Sequence, residues 1–144
     1  MNTLGFESPS VQSYLGILQS VINRMASNSA GCKTWCITLV SAIIVIIAGQ
    51  GKPNYVWISL VPIVLFFFLD SYYLGLERRF RDLYNEFIRK LHSNSATIDD
   101  VFIVNPGTLG VILLSTVKAY FSLSVWPFYG LLAVMLVIVR VWIL

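Results

Sequence analysis

Hydrophobic positions in this chain switch between two regimes, and one stretch carries both. Tyr55–Leu91 reads YVWISLVPIVLFFFLDSYYLGLERRFRDLYNEFIRKL. Its first half is apolar on every face, as a lipid-facing or buried span requires. Its second half has no proline and one glycine, Gly75, and places Leu, Glu, Arg, Phe and Tyr at helical spacing. The pattern predicts one continuous helix of roughly 55 Å at about 1.5 Å per residue. A hydrocarbon core takes about 30 Å of that. The rest, about 25 Å long, is a charged stalk in water.

The flanks are read on the same terms. Met1–Ser10, punctuated by Gly, Pro and Ser, is expected to be a flexible or loosely docked arm, with Ser10 as an N-cap. In Val11–Met25, one face holds Val11, Tyr14, Leu18, Val21, Ile22 and Met25, which predicts an amphipathic helix. Ala26–Gly31 (ASNSAG) reads as a break. Lys33–Ala48 is a first span, extended back to about Ala30 to cross without thinning the bilayer. Gly49–Asn54 is a tight turn, and Tyr55–Tyr73 returns as a second span with a kink expected near Pro62. Leu74–His92 is the stalk, ended by Ser93–Ser95. Thr97-x-x-Asp100 has the form of a helix cap, and Asn105-Pro106-Gly107 that of a turn. Thr108–Ser124 is weakly amphipathic, and Trp126–Leu144 is a third apolar span with Pro127 in its first turn. The fold class expected is an all-α membrane protein with three transmembrane helices, one continuing as a long cytoplasmic stalk packed on the N-terminal amphipathic helix. Its units are 1–31, a transmembrane hairpin over 32–73, the stalk and interfacial segment over 74–124, and the third span over 125–144.

Composition supports the membrane class. Hydrophobic residues make up 57% and charged residues 12% of 144, and a soluble globule carries about twice that charged share. The formal charge of +3 matters less than its distribution. Arg24, Lys33, Arg78, Arg79, Arg81, Arg89, Lys90 and Lys118 fall on one side of the predicted spans, against Lys52 in the opposite loop. The positive-inside bias puts the N-terminus and stalk in the cytoplasm and the C-terminus outside. Met1–Ser10 lacks the basic n-region of a secretory signal. Cys32 and Cys36 form neither a disulfide framework nor a zinc pattern. There is no Ser/His/Asp set, metal motif or phosphate loop, and His92, the only histidine, suits a helix C-terminus. No enzyme, cofactor or metal site is expected.

Two constellations stand out. Counted from the turn, Lys33 and Asp70 fall at the same depth near the cytoplasmic boundary, and an unpaired intramembrane acid is costly. They are expected to pair, either as a pin between helices or as a gate. Lower down, the stripe Tyr14, Leu18, Val21 and Met25 matches Phe80, Tyr84, Phe87 and Leu91, which predicts an antiparallel hairpin. The outer face then carries Arg78, Arg79, Arg81, Arg89 and Lys90 among acids. Glu77–Arg81 and Glu86–Lys90 are favourable i,i+4 pairs, whereas Arg79 and Arg89 have no such partner. This is a solvated charged face or an anion site, since arginines with interleaved aromatics suit phosphates and bases.

Arg24–Ile46 (RMASNSAGCKTWCITLVSAIIVI) and Gly51–Leu91 together resemble the transmembrane effectors of Hailong-type anti-phage defence, small bacterial proteins found beside nucleotidyltransferase-like enzymes. The resemblance covers roughly the N-terminal two-thirds. It implies a homo-oligomeric channel that short single-stranded DNA oligomers, made by the nucleotidyltransferase-like partner, hold shut. Loss of those oligomers during infection would open it and depolarise the membrane. The competing reading is a non-conducting anchor or scaffold whose stalk docks a cytoplasmic partner. A transporter is weaker, since the spans carry only Asp70 and Arg140 as charges and show no repeated half. The predicted topology has a direct check: reporter fusions at residue 95 and at the C-terminus should report opposite sides of the membrane. Same-side readings would make Thr108–Leu144 a re-entrant hairpin.

Overall fold

The computed structural model describes residues 5–142, and these are helical throughout apart from connecting segments. Four α-helices follow one another: α1 (Pro9–Gln50), α2 (Leu60–His92), α3 (Leu109–Tyr120) and α4 (Trp126–Trp142). The predicted arm and third span each run beyond the described residues, at 1–4 and 143–144. Two helical stretches, Pro9–Gln50 and Pro53–His92, are long and apolar enough to cross a membrane.

α1 corrects the expected break. It is a single helix of 42 residues that passes through Ala26–Gly31 without interruption. It begins at Pro9, which needs no N–H partner there, so the N-cap position is Ser8 and not Ser10. The reason for continuity is a buried seam. Val11, Tyr14, Leu18, Ile22, Met25, Ser29, Cys32, Cys36 and Val40 are all buried, three or four residues apart. The seam meets α2 below Asp70, Asp70 itself through Ser29, and both α2 and α4 above, so packing recurs along the helix and outweighs the modest helix propensities of Ser, Asn and Gly, each under about 1 kcal/mol. The expected boundary at 31/32 therefore falls inside a helix.

Gly51 closes α1 in the left-handed region at φ 62°, and its N–H donates to the Ala48 carbonyl at 3.4 Å. Glycine adopts that conformation without a Cβ penalty. The return is not α-helical from Tyr55, as predicted: Pro53–Ser59 is wound as a 3-10 helix, and the α-helix starts at Leu60. Pro62 then lies in the first turn of α2, where backbone N–H groups lack intrahelical acceptors. Pro62 thus stands just after the change from 3-10 to α winding.

α1 and α2 are antiparallel and share two cores. In the charged half, Val11, Tyr14, Leu18, Ile22 and Met25 pack with Leu76, Phe80, Phe87 and Leu91. The Tyr14 and Phe87 rings meet edge-on at 4.8 Å. Val21 and Tyr84, expected within this stripe, are only partly buried, and Ile22 and Leu76 take the inner positions. In the apolar half, Cys36, Val40, Val56 and Ile63 pack with Val125, Tyr129 and Leu136 of the α4 end of the chain. Phe6 of the arm lies against His92, with ring centroids 5.0 Å apart.

The chain after α2 turns back along it. Asp100 accepts from the Thr97 backbone N–H at 2.9 Å, and Ile98–Asp100 forms one 3-10 turn. The Tyr14 hydroxyl donates to the Ile103 carbonyl at 2.6 Å, which straps this segment across the hairpin. The Gly107 N–H donates to the Asn105 side chain at 2.9 Å in an Asx turn, and Gly107 has φ 107°. α3 then lies antiparallel on α2. Thr116 sits on Gly75 so closely that a Cβ there would stand 2.9 Å from the Thr116 backbone nitrogen. One turn on, Tyr120 stacks on Phe67 with centroids 5.2 Å apart. α4 continues beside the apolar half of the hairpin until Arg140 donates to the Asn54 side chain at 2.9 Å.

Gly75 therefore sets the α2–α3 spacing. Gly75→Ala should lower stability by about 1–3 kcal/mol, the usual cost of overpacking. Gly110→Ala, where a Cβ meets nothing within 4 Å, should be neutral or stabilising. Thermal unfolding in detergent, followed by circular dichroism, compares the two; equal melting temperatures would contradict the close packing.

Candidate functional site: the junction ion pair and the stalk cations

Asp70 is the most enclosed charge in the structure, with a relative exposure of 0%. It occupies the turn of α2 where the apolar run ends, and α1 brings two partners to it. Lys33 Nζ lies 2.6 Å from Oδ2, and the Ser29 hydroxyl donates to Oδ1. The lysine contact is ionic and not a well-directed hydrogen bond, so Oδ2 depends on charge for its compensation. Lys33 keeps its ammonium partly accessible, at 21% exposure, which lightens its own desolvation. From the third side, the buried Tyr129 hydroxyl of α4 faces Asp70 without making a hydrogen bond. Three helices thus meet at one carboxylate. The expected Lys33–Asp70 pairing is present, whereas Ser29 was missed because it fell in the supposed break. Extending the α1 seam beyond Met25 would have found it.

The five cations predicted as one ligand site are split by the helix. Arg78, Arg81 and Arg89, with Asn85, follow one another at spacings of three and four and form one stripe. Arg79 and Lys90 turn toward the strap instead. Arg79 Nε donates to the Pro106 carbonyl at 3.1 Å, and its Nη1 lies 3.4 Å from Asp82. Lys90 holds Asp100 at 2.7 Å. Within the stripe, Arg81 is 2.7 Å from Glu77, and Arg78 donates to the Ser122 hydroxyl at 2.8 Å. Arg89 has no ion-pair partner among the described residues, as expected. Arg79, expected to lack an acid, finds Asp82 one turn away, a spacing of i,i+3.

Arg78 and Arg79 also border an open cleft of about 320 Å³ between α2 and α3, with Asp82, Val111, Leu114, Ser115 and Lys118. In the sequence Lys118 counts only among the basic residues that set the orientation. Only the α2–α3 packing brings it beside the stalk arginines. Among the described residues, no group of three or more His, Cys, Asp or Glu side chains is placed to hold a metal.

Comparison of the chain with family models, curated proteins and solved structures found no match.

Two predictions follow the charges. Lys33→Ala leaves the buried Asp70 carboxylate without a cationic partner, with only the Ser29 hydroxyl, and should cost about 3–5 kcal/mol. The double variant Lys33→Gln/Asp70→Asn should recover most of that loss in detergent unfolding; losses that simply add would deny the coupling. At the strap, the Lys90 hydrogen bond and then the Thr97 N–H hold the Asp100 carboxyl down at about 2. A depressed carboxylate stabilises the fold above its unfolded pKa of about 4 and loses that contribution as pH falls through about 2. Pepsin cleavage near Phe102 should therefore increase from pH 4 to pH 2 beyond the protease's own profile. Asp100→Asn should be cleaved readily at both.

Proposed function

We propose that this chain is an oligomeric membrane effector of bacterial anti-phage defence: an ion channel restrained by short single-stranded DNA oligomers and opened to depolarise the membrane. In this reading Lys33–Ala48, the return stretch 53–73 and α4 span the inner membrane, with the stalk in the cytoplasm. The observation that carries it is mechanical. Both α1 and α2 run unbroken from the charged half into the apolar half, and a buried ion pair locks them together where the halves meet. A ligand that shifts one stalk helix against the other must therefore move the spans or break that pair. Coupling of this kind needs an element with two arrangements that the ligand distinguishes.

Arg81 and Arg89 are the ligand contacts in this reading, with Arg78, Arg79 and Lys90 flanking them. Arg81 and Arg89 are exposed and lie about 12 Å apart along the helix at about 1.5 Å per residue. Their helix also carries Tyr84, and the resemblance to Hailong-type effectors supplies the polyanion and the nucleotidyltransferase-like partner. The anchor reading draws support from Arg81 and Lys90, whose charges are already paired within the chain.

Arg81→Gln/Arg89→Gln tests the proposal. Gln preserves helix propensity. Removing two phosphate contacts should weaken single-stranded DNA binding and lower the magnitude of the log–log salt slope by about 1.4. Cells expressing the variant should depolarise more readily, as read by a potential-sensitive dye, because the restraint is weakened. An unchanged salt slope with unchanged membrane potential would favour the anchor.

A further inference from the structure

The upper end of the α2–α3 cleft lies at a particular depth. Thr116 rests on Gly75, so Lys118 falls about 3 Å nearer to the apolar half, at about 1.5 Å per residue. Arg78 reaches the same way, since its guanidinium binds Ser122, beyond the end of α3. Immediately beside Ser122, Phe121 and Leu123 are 81% and 86% exposed. Neither side chain is covered by the chain itself, and α4 starts three residues later at Trp126. The site therefore presents two cations and a hydroxyl next to two bare apolar side chains. Asp82, the one acid bordering the cleft, is engaged by Arg79 at 3.4 Å. Lys118 has no ion-pair partner among the described residues.

We infer that Arg78 and Lys118 bind the phosphate of an anionic phospholipid headgroup in the leaflet next to the stalk, with Phe121 and Leu123 against its acyl chains. The inference rests on the membrane reading above and adds a site to it. The headgroup layer is about 5–8 Å thick on each side of the hydrocarbon. Lys118 stands about 4–5 Å below the Asp70 level at about 1.5 Å per residue, and Ser122 draws the Arg78 guanidinium toward the same end. Basic pockets between helices on the cytoplasmic side suit such headgroups. Arginine gives a forked contact to phosphate and lysine a point charge, so a phosphodiester without a compensating amine fits better than a zwitterionic headgroup. The contact would tie α3 to the bilayer and, through Gly75, the stalk to its depth.

The test uses the full chain, purified in mild detergent and reconstituted in phosphatidylcholine bilayers with or without phosphatidylglycerol. Retained lipid is counted by native mass spectrometry. The parent protein should keep phosphatidylglycerol in preference to phosphatidylcholine. Arg78→Gln/Lys118→Gln should weaken that preference roughly thirtyfold, about fivefold per cation. Arg78→Lys/Lys118→Arg, which keeps both charges, should retain most of it and guards against misfolding as the cause. Equal phosphatidylglycerol retention by parent and Gln variant overturns the inference, with the membrane reading intact if both remain in neutral bilayers. Failure of the parent to enter any bilayer overturns both. Loss of short single-stranded DNA binding with lipid preference unchanged would make the cleft a nucleic-acid site and overturn the lipid assignment.

Discussion

A carboxylate buried where an apolar helix becomes a charged one must be compensated, and the position of that compensation governs the rest of this structure. Asp70 takes an ionic partner from Lys33 and a hydroxyl donor from Ser29, both on α1. Sliding α1 by one turn, about 5.4 Å, would leave the acid bare. The hairpin register is therefore set by charge at one level, and hydrophobic packing on either side must agree with it. It does: the same register aligns Tyr14 with Phe87 below and places Cys36 and Val40 in the core with Ile63 above.

One seam changes character along its length. Below Asp70, α1 buries large apolar side chains against α2. Around Asp70 the seam residues become small, Ser29, Cys32 and Cys36, and the helices are held by close packing and polar contacts. The seam keeps its spacing across the change, which is why α1 stays a single rod, and why displacement at one end reaches the other.

The second half of the chain acts as a splint. α3 rests on the glycine face of α2, and the preceding strap is fixed by the Tyr14 hydroxyl and by the Lys90–Asp100 pair. This arrangement consumes Arg79 and Lys90, draws Arg78 to Ser122, and leaves Arg81 and Arg89 outward. Lys118 joins Arg78 at the cleft. The charges available to a partner are thus selected by where the returning chain lies.

Much of the architecture was legible from hydrophobic period alone. The all-helical class, the turn at Gly49–Asn54, the span-to-stalk helix and the Lys33–Asp70 pairing all rest on local pattern or on counting from a turn. Those are properties of adjacent residues, and neighbours in sequence determine them. The continuity of α1 was not legible in this way, because ASNSAG has the composition of a loop; a buried seam supplied by α2 makes it a helix. The 3-10 start of the return was not legible either. The division of the basic cluster was equally out of reach. Arg79 and Lys90 meet partners 27 and 10 residues away, Pro106 and Asp100, and Lys118 meets the stalk only through Gly75. Helical spacing shows which cations share a face, but which of them remain free is settled by distant segments folding back.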